Sequence, residues 1–139
     1  MAVSAFSLSP AVNFETDNGG TLKMVGLTND LTEYGVTNDG WAFFDDLYFN
    51  AYSEATLNVA DHHTQTQVTH IGGKVAASFR LVSLVPNGKA DIRVRGLTPN
   101  EWYRLEFGGV MAETDSGVAH GRTDGQGEII FTAVSIPNE

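Results

Sequence analysis

Apolar and polar residues alternate with a period of two through much of the chain. No window holds the three-to-four-residue apolar spacing of an amphipathic helix. Phe6, Leu8, Pro10, Val12 and Phe14 alternate with Ser7, Ser9, Ala11 and Asn13, which predicts a one-faced strand with a proline at its centre. Proline has no N–H to give to a ladder, so this strand is expected at an edge or to change partner there. Further strands are predicted over 21–27, 40–54 and 55–59. Inward faces are carried by Val75, Ala77, Phe79 and Leu81, by Ile92 and Val94, and by Tyr103, Leu105 and Phe107. The closing run, 128–136, is apolar on both faces, as a covered strand would be. Between these runs lie "ETDNGG", "TNDL", "TNDG", "VPNGK", "LTPNE" and "TDGQG". Their Asn-Gly and Asp-Gly pairs supply the positive φ of tight turns.

The expected class is all-β, an antiparallel β-sandwich, immunoglobulin-like or jelly-roll-like, with a strand-forming N-terminal arm. Residues 1–20 read as that arm or an edge strand, and 21–139 as the sandwich. A length of 139 residues suits one domain with a core of its own, and the absence of cysteine leaves packing as the source of stability. Seventeen acidic against eight basic residues give a formal charge of -9, which disfavours nucleic acid as a partner. The N-terminus has no basic n-region, and no run approaches the ~20 apolar residues of a membrane-spanning helix. The expectation is therefore a soluble chain with no membrane partner.

The segment "KADIRVRGLTPNEWYRLEF" runs strand, Gly-Leu-x-Pro, a tyrosine four residues after the proline, and a second alternating strand. It resembles the corner between the fifth and sixth strands of fibronectin type III and related immunoglobulin-like domains. The resemblance implies that Leu97 plugs the core, Pro99 fixes the turn and Tyr103 locks it through its hydroxyl. The later "GRTDGQGEIIF" is similar to the closing hairpin of many bacterial and viral immunoglobulin-like domains. The chain ahead of Leu97 is longer than such domains have, which is why an N-terminal extension is expected.

Read as one strand, 40–54 places Trp41, Phe43, Leu47, Phe49 and Ala51 on a core face and Phe44, Asp46, Tyr48, Asn50 and Tyr52 on the other. The second set, with Trp102 from the later strand, is the candidate binding surface. It suits either a protein interface, where such aromatics are enriched, or stacking on sugar rings. In the arm, Phe6, Leu8, Val12 and Phe14 are the candidates for strand addition to an exposed edge. "DHHTQTQVTH" gathers Asp61, His62, His63 and His70, weak candidates for a metal site with His120 as a further ligand, although neighbouring histidines diverge on a strand. Calcium is the one cofactor entertained, through Asp17, Asp30, Asp39, Asp115 and Asp124 in turns, none at EF-hand spacing. Asp45 and Asp46 adjoin and diverge. Glu113, Asp115, Ser116 and His120 lack the spacing of a hydrolytic site.

The sequence thus leads to a non-enzymatic structural protein acting by protein–protein contacts, most concretely a phage virion decoration or tail-associated subunit assembled in the host cytoplasm. It is expected to be a homo-oligomer or to attach to a larger assembly. The alternative is a carbohydrate-binding module of a secreted enzyme or adhesin. A small metal-dependent enzyme built on His62, His63 and His70 is the third.

Overall fold

A computed structural model of the protein describes residues 11–16, 22–27, 34–37, 41–44, 46–52, 56–60 and 63–138. In chain order the strands are β1 (Ala11–Thr16), β2 (Leu22–Leu27), β3 (Tyr34–Val36), β4 (Ala42–Phe44), β5 (Leu47–Ala51), β6 (Thr56–Ala60), β7 (Thr66–His70) and β8 (Val75–Ser83). They continue as β9 (Lys89–Val94), β10 (Trp102–Phe107), β11 (Val110–Met111), β12 (Glu113–Thr114), β13 (Gly117–Val118), β14 (His120–Arg122) and β15 (Ile129–Ser135). One sheet has the order β13-β12-β15-β9-β5-β4-β3. The other has β11-β10-β7-β8-β6-β1-β2, with β14 also against β10. The named ladders are antiparallel, and no helix occurs among the described residues. This is the two-sheet sandwich the alternation predicts, with a generic immunoglobulin-like or fibronectin-like architecture.

The inner faces meet in one core containing Phe49, Phe79, Leu57, Leu81, Ile92, Leu105, Val59, Val68 and Val94, each fully buried. Burying a side chain of this size contributes ~1.5–3 kcal/mol, which is how a chain without disulfides holds two sheets together. Buried polar groups are satisfied locally: the Thr69 hydroxyl donates to Glu106 Oε1 at 3.1 Å and the Ser83 hydroxyl to the Val85 carbonyl at 2.6 Å. On one side the chain crosses between sheets and returns. β11 pairs with β10, β12 with β15, and β14 again with β10. The crossings fall at Ala112 and Ala119, both buried. Ala112 N–H donates to Leu105 O, Leu105 N–H to Ala119 O, and Ala119 N–H to Ala112 O, at 2.8–2.9 Å. An alanine side chain is small enough to let these three backbones approach.

Three local features depart from the simple alternation. First, 40–54 is not one strand: Phe44 pairs with Leu47, so the chain turns back between β4 and β5, with Asp46 in the turn. Aspartate suits turns because its short side chain competes for backbone groups. The reversal puts Phe43 directly opposite Tyr48, so Phe43 does not share the face of Leu47. Second, β8 carries a bulge where Val68 faces Ala77 but Thr69 faces Val75. Val75 leaves the inward face and is 41% exposed. Third, β15 is apolar on both faces because a bulge changes its phase. Ile92 faces Phe131 while Ala90 faces Val134, leaving two residues opposite Asp91. Ala133 there has φ 55°, and its N–H donates to Asp91 Oδ1 at 2.9 Å.

β1 hydrogen-bonds on both sides, to β2 and to β6, so Ala11–Thr16 is a strand within the sheet. Pro10 immediately precedes it, and residues 1–10, with Phe6 and Leu8, lie outside the described residues. At the corner after β9, Thr98 N–H donates to Tyr103 Oη at 3.1 Å, and the Tyr103 ring is buried. Leu97 packs at the margin of the core, and Pro99 is exposed in the turn. The Thr123 hydroxyl joins this corner to β15's hairpin, donating to Thr98 O at 2.6 Å and accepting Glu101 N–H at 3.0 Å. Tyr103→Phe is expected to cost about 1–2 kcal/mol by leaving Thr98 N–H without its acceptor. The urea midpoint should fall with an unchanged denaturant slope.

Candidate interaction face

The outer face of the β3–β15 sheet carries a straight cross-strand row. Gly35, Phe43, Tyr48, Arg93 and Ile130 are successive partners across β3, β4, β5, β9 and β15. The row follows from alternation once the β4–β5 turn is in place, because Ala42, Leu47, Phe49, Ile92 and Val94 point inward and are buried. Its aromatics are locked by one another and by cations. The Phe43 and Tyr48 rings lie 5.7 Å apart, tilted by 32°. Arg93 Cζ sits 4.9 Å from the Tyr48 centroid and 5.7 Å from that of Trp41, and Arg95 Cζ sits 5.5 Å from Tyr48. Arg95 Nη1 donates to Tyr48 Oη at 2.7 Å, and Arg93 Nε donates to Glu128 Oε2 at 3.0 Å. Trp41, Phe43 and Tyr48 are half-buried, whereas Ile130 and Arg95 are each about half exposed. A groove of about 540 Å³ beside the row is lined by Asp46, Arg93, Arg95, Gly96, Gln126 and Glu128.

At the other end of the same face, Tyr52 Oη donates to Asp91 Oδ1 at 2.6 Å, the atom that also holds the Ala133 bulge. That hydrogen bond, then burial and the Asp91 charge, push the Tyr52 phenol up to about 12. The folded value lies above the ordinary tyrosine value of about 10, so the neutral phenol is the form the fold favours. Its stabilising contribution is complete below about pH 10 and is lost as the pH rises towards 12. Ultraviolet titration should show a late phenolate transition that disappears in Tyr52→Phe and moves to lower pH in Asp91→Asn.

Of the surface residues expected from sequence, Tyr48, Asn50 and Tyr52 share this face, with Asn50 opposite Asp91 on β9. Asp46 sits exposed in the turn and its carbonyl accepts Arg95 N–H at 3.0 Å. Phe44 lies at the register position opposite Leu47. Trp102 belongs to the other sheet, 47% exposed, with its ring 5.7 Å from His120. Sequence reasoning missed Trp41 and Phe43 because it ran the strand through Asp45 and Asp46. It also passed over Arg93 and Arg95, although "IRVR" placed both opposite the inward Ile92 and Val94.

Asp61, His62, Asp17, Asp30 and Asp39 lie outside the described residues. His63 is exposed and accepts Gln65 N–H. His70 accepts Gly72 N–H on Nδ1 at 3.0 Å, so Nε2 carries the proton donated to Glu101 Oε1 at 2.8 Å. Asp115 pairs with Lys89. The Asp124 carboxyl accepts the Glu128 and Gln126 N–H groups, which hold it below the usual carboxylate range. Glu113, Asp115 and Ser116 belong to the β12–β13 hairpin, whereas His120 is on β14. Among the described residues no group of three or more histidines and carboxylates is gathered to hold a metal, and no helix is long and apolar enough to cross a membrane. The chain matches no protein-family model, and comparison with curated proteins and with solved structures finds no match.

Proposed function

We propose that the protein is a non-enzymatic assembly module whose outer sheet face binds a second copy of the chain. Its most concrete setting is a virion decoration or tail-associated subunit. One observation carries the proposal: Trp41, Phe43, Tyr48, Arg93 and Arg95 form a contiguous, mutually braced, partly exposed set across three adjacent strands. Tyrosine, tryptophan and arginine are the residues that most often dominate interface energetics, and bracing reduces the entropy lost on association. The chain has eight basic residues against seventeen acidic ones, and two of the eight, Arg93 and Arg95, lie on this face, where both also meet Glu128. The sugar-stacking alternative is less favoured because two guanidinium groups already lie close to the Tyr48 ring. Support for the virion setting comes from the sandwich class, the lack of cysteine and the acidic composition.

Light scattering on the full chain is the test. The expected result is a defined oligomer that Arg95→Glu or Tyr48→Ala converts to monomer, while the unfolding midpoint changes little. A full chain that is monomeric at high concentration overturns the proposal. Glycan binding by that monomer, lost in Tyr48→Ala, would assign the face to sugar instead.

A further inference from the structure

The two sheets part at the end of the sandwich where β8 begins, leaving an opening of about 680 Å³, within the size range of small-molecule sites. Its floor is core: Leu47 and Val94 of one sheet and Tyr103 of the other line it, and all three are buried. Ala76, Ala77 and Ser78 form the β8 wall, and side chains this small leave the space unfilled. The corner at Leu97 and Thr98 forms another wall.

Asp46, His70, Lys74 and Arg95 also line the opening, and two of the four are already engaged. His70 is bonded to Gly72 and Glu101, and Arg95 to Tyr48, with Glu128 at 3.9 Å. The Asp46 carboxylate and the Lys74 ammonium have no hydrogen bond or ion pair among the described residues. Lys74 differs in this from Lys89, Arg93, Arg95 and Arg104, each of which has a carboxylate within 2.6–3.9 Å. The two unpaired charges belong to different sheets. Asp46 leads into β5, and Lys74 ends the turn from β7 into β8. Each is tied to its wall through the backbone: Asp46 O accepts Arg95 N–H at 3.0 Å, and Lys74 O accepts His70 N–H at 2.8 Å. Gly96 gives the Asp46 carboxylate room, since a β-carbon there would lie 3.2 Å from Asp46 Oδ2.

One carboxylate, one ammonium and an apolar floor are complementary to a molecule that carries an ammonium, a carboxylate and an apolar body. An amphiphile of a single charge would leave one wall facing a like charge. Stacked sheets stand about 10 Å apart, a gap suited to charges at the two ends of a dipeptide about 7 Å long. The Ser78 and Thr98 hydroxyls, on different walls and unengaged among the described residues, can each donate to or accept from a peptide group.

We infer that this opening binds a short apolar peptide with free ends, its ammonium on Asp46, its carboxylate on Lys74 and its side chains over Leu47, Val94 and Tyr103. The opening adjoins the braced face at Arg95, but the inference does not depend on the assembly proposed there, because the peptide needs no second copy of the chain.

Titration of the full chain with dileucine, read from amide NMR shifts, tests this, with N-acetyl-dileucine and dileucine amide as capped probes. Saturable shifts are expected at Ala77, Gly96 and Leu97 and not at Val110, which follows β10 at the far end of the sandwich. Each cap should weaken binding about two- to fivefold, the effect of an exposed ion pair. Asp46→Asn should abolish the difference between dileucine and its acetylated form while keeping that between dileucine and its amide. Lys74→Gln should do the reverse. Both side chains are exposed, so neither substitution disturbs the core. The absence of saturable shifts at millimolar dileucine, or shifts confined to residues away from the opening, overturns the inference. Caps that make no difference, or differences that persist in both variants, overturn it equally.

Discussion

Gly127→Ala is expected to destabilise the protein by more than about 4 kcal/mol, enough to leave it largely unfolded under ordinary conditions. A β-carbon there would lie 2.1 Å from the Leu97 carbonyl oxygen, and the backbone sits at φ +77°, where L-residues are strained. The obstacle is backbone, so no rotamer change relieves it. Leu97 N–H donates to Gly127 O at 3.0 Å, and Asn100 N–H donates to Asp124 O at 3.2 Å. Moving the loop away therefore separates the Leu97–Tyr103 corner from the hairpin that closes the sandwich. Gly125→Ala is the control, two residues away with open space around the new atom, and should change stability by no more than about 0.5 kcal/mol. Denaturant unfolding of the pair checks both expectations.

The second large effect is expected of Phe79→Ala, at about 3–5 kcal/mol. Phe79 is fully buried and meets Phe49 of the opposite sheet edge-on, with centroids 6.1 Å apart at 61°. Truncation removes the apolar contact between sheets and leaves a void that two hydrogen-bonded ladders cannot collapse to fill. Ile130→Ala, on the outer row and 49% exposed, should shift stability by about 0.5 kcal/mol or less. A thermal melt in which both variants lose equal stability would contradict this placement of the core.

These two sites and the outer row are parts of one device. Phe49, at the centre of the core, belongs to β5, which presents Tyr48 and Asn50 to the outside. Ile92 and Val94 anchor β9 from within while Arg93 reaches over Tyr48 and Trp41. Strand alternation thus couples a rigid interior to an ordered exterior, since each inward side chain fixes the direction of its neighbours. Packing holds the row in place, a condition that would lower the cost of binding the second copy proposed above.

Local pattern was enough to show the class of the fold, the position of most strands and the tyrosine corner. Alternation with period two, and turn residues needing positive φ, act over a few neighbours and are written directly in the chain. The inward faces of β9 and β10 were legible for this reason, as were the turns after Val94 and before Glu128. Phase was not. Whether Trp41 and Phe43 join Leu47 or Tyr48 depends on a turn between Phe44 and Leu47, and aspartate occurs inside strands as well as between them. The bulges opposite Asp91 and Thr69 likewise shift β15 and β8 through contacts with strands distant in sequence. Sequence showed Arg93 and Arg95 as outward residues. Their arrangement over Tyr48, shared with Glu128, exists only because β5, β9 and β15 lie side by side. Side-chain direction is a local property of the backbone, whereas which strand lies alongside is decided by the burial of the whole core.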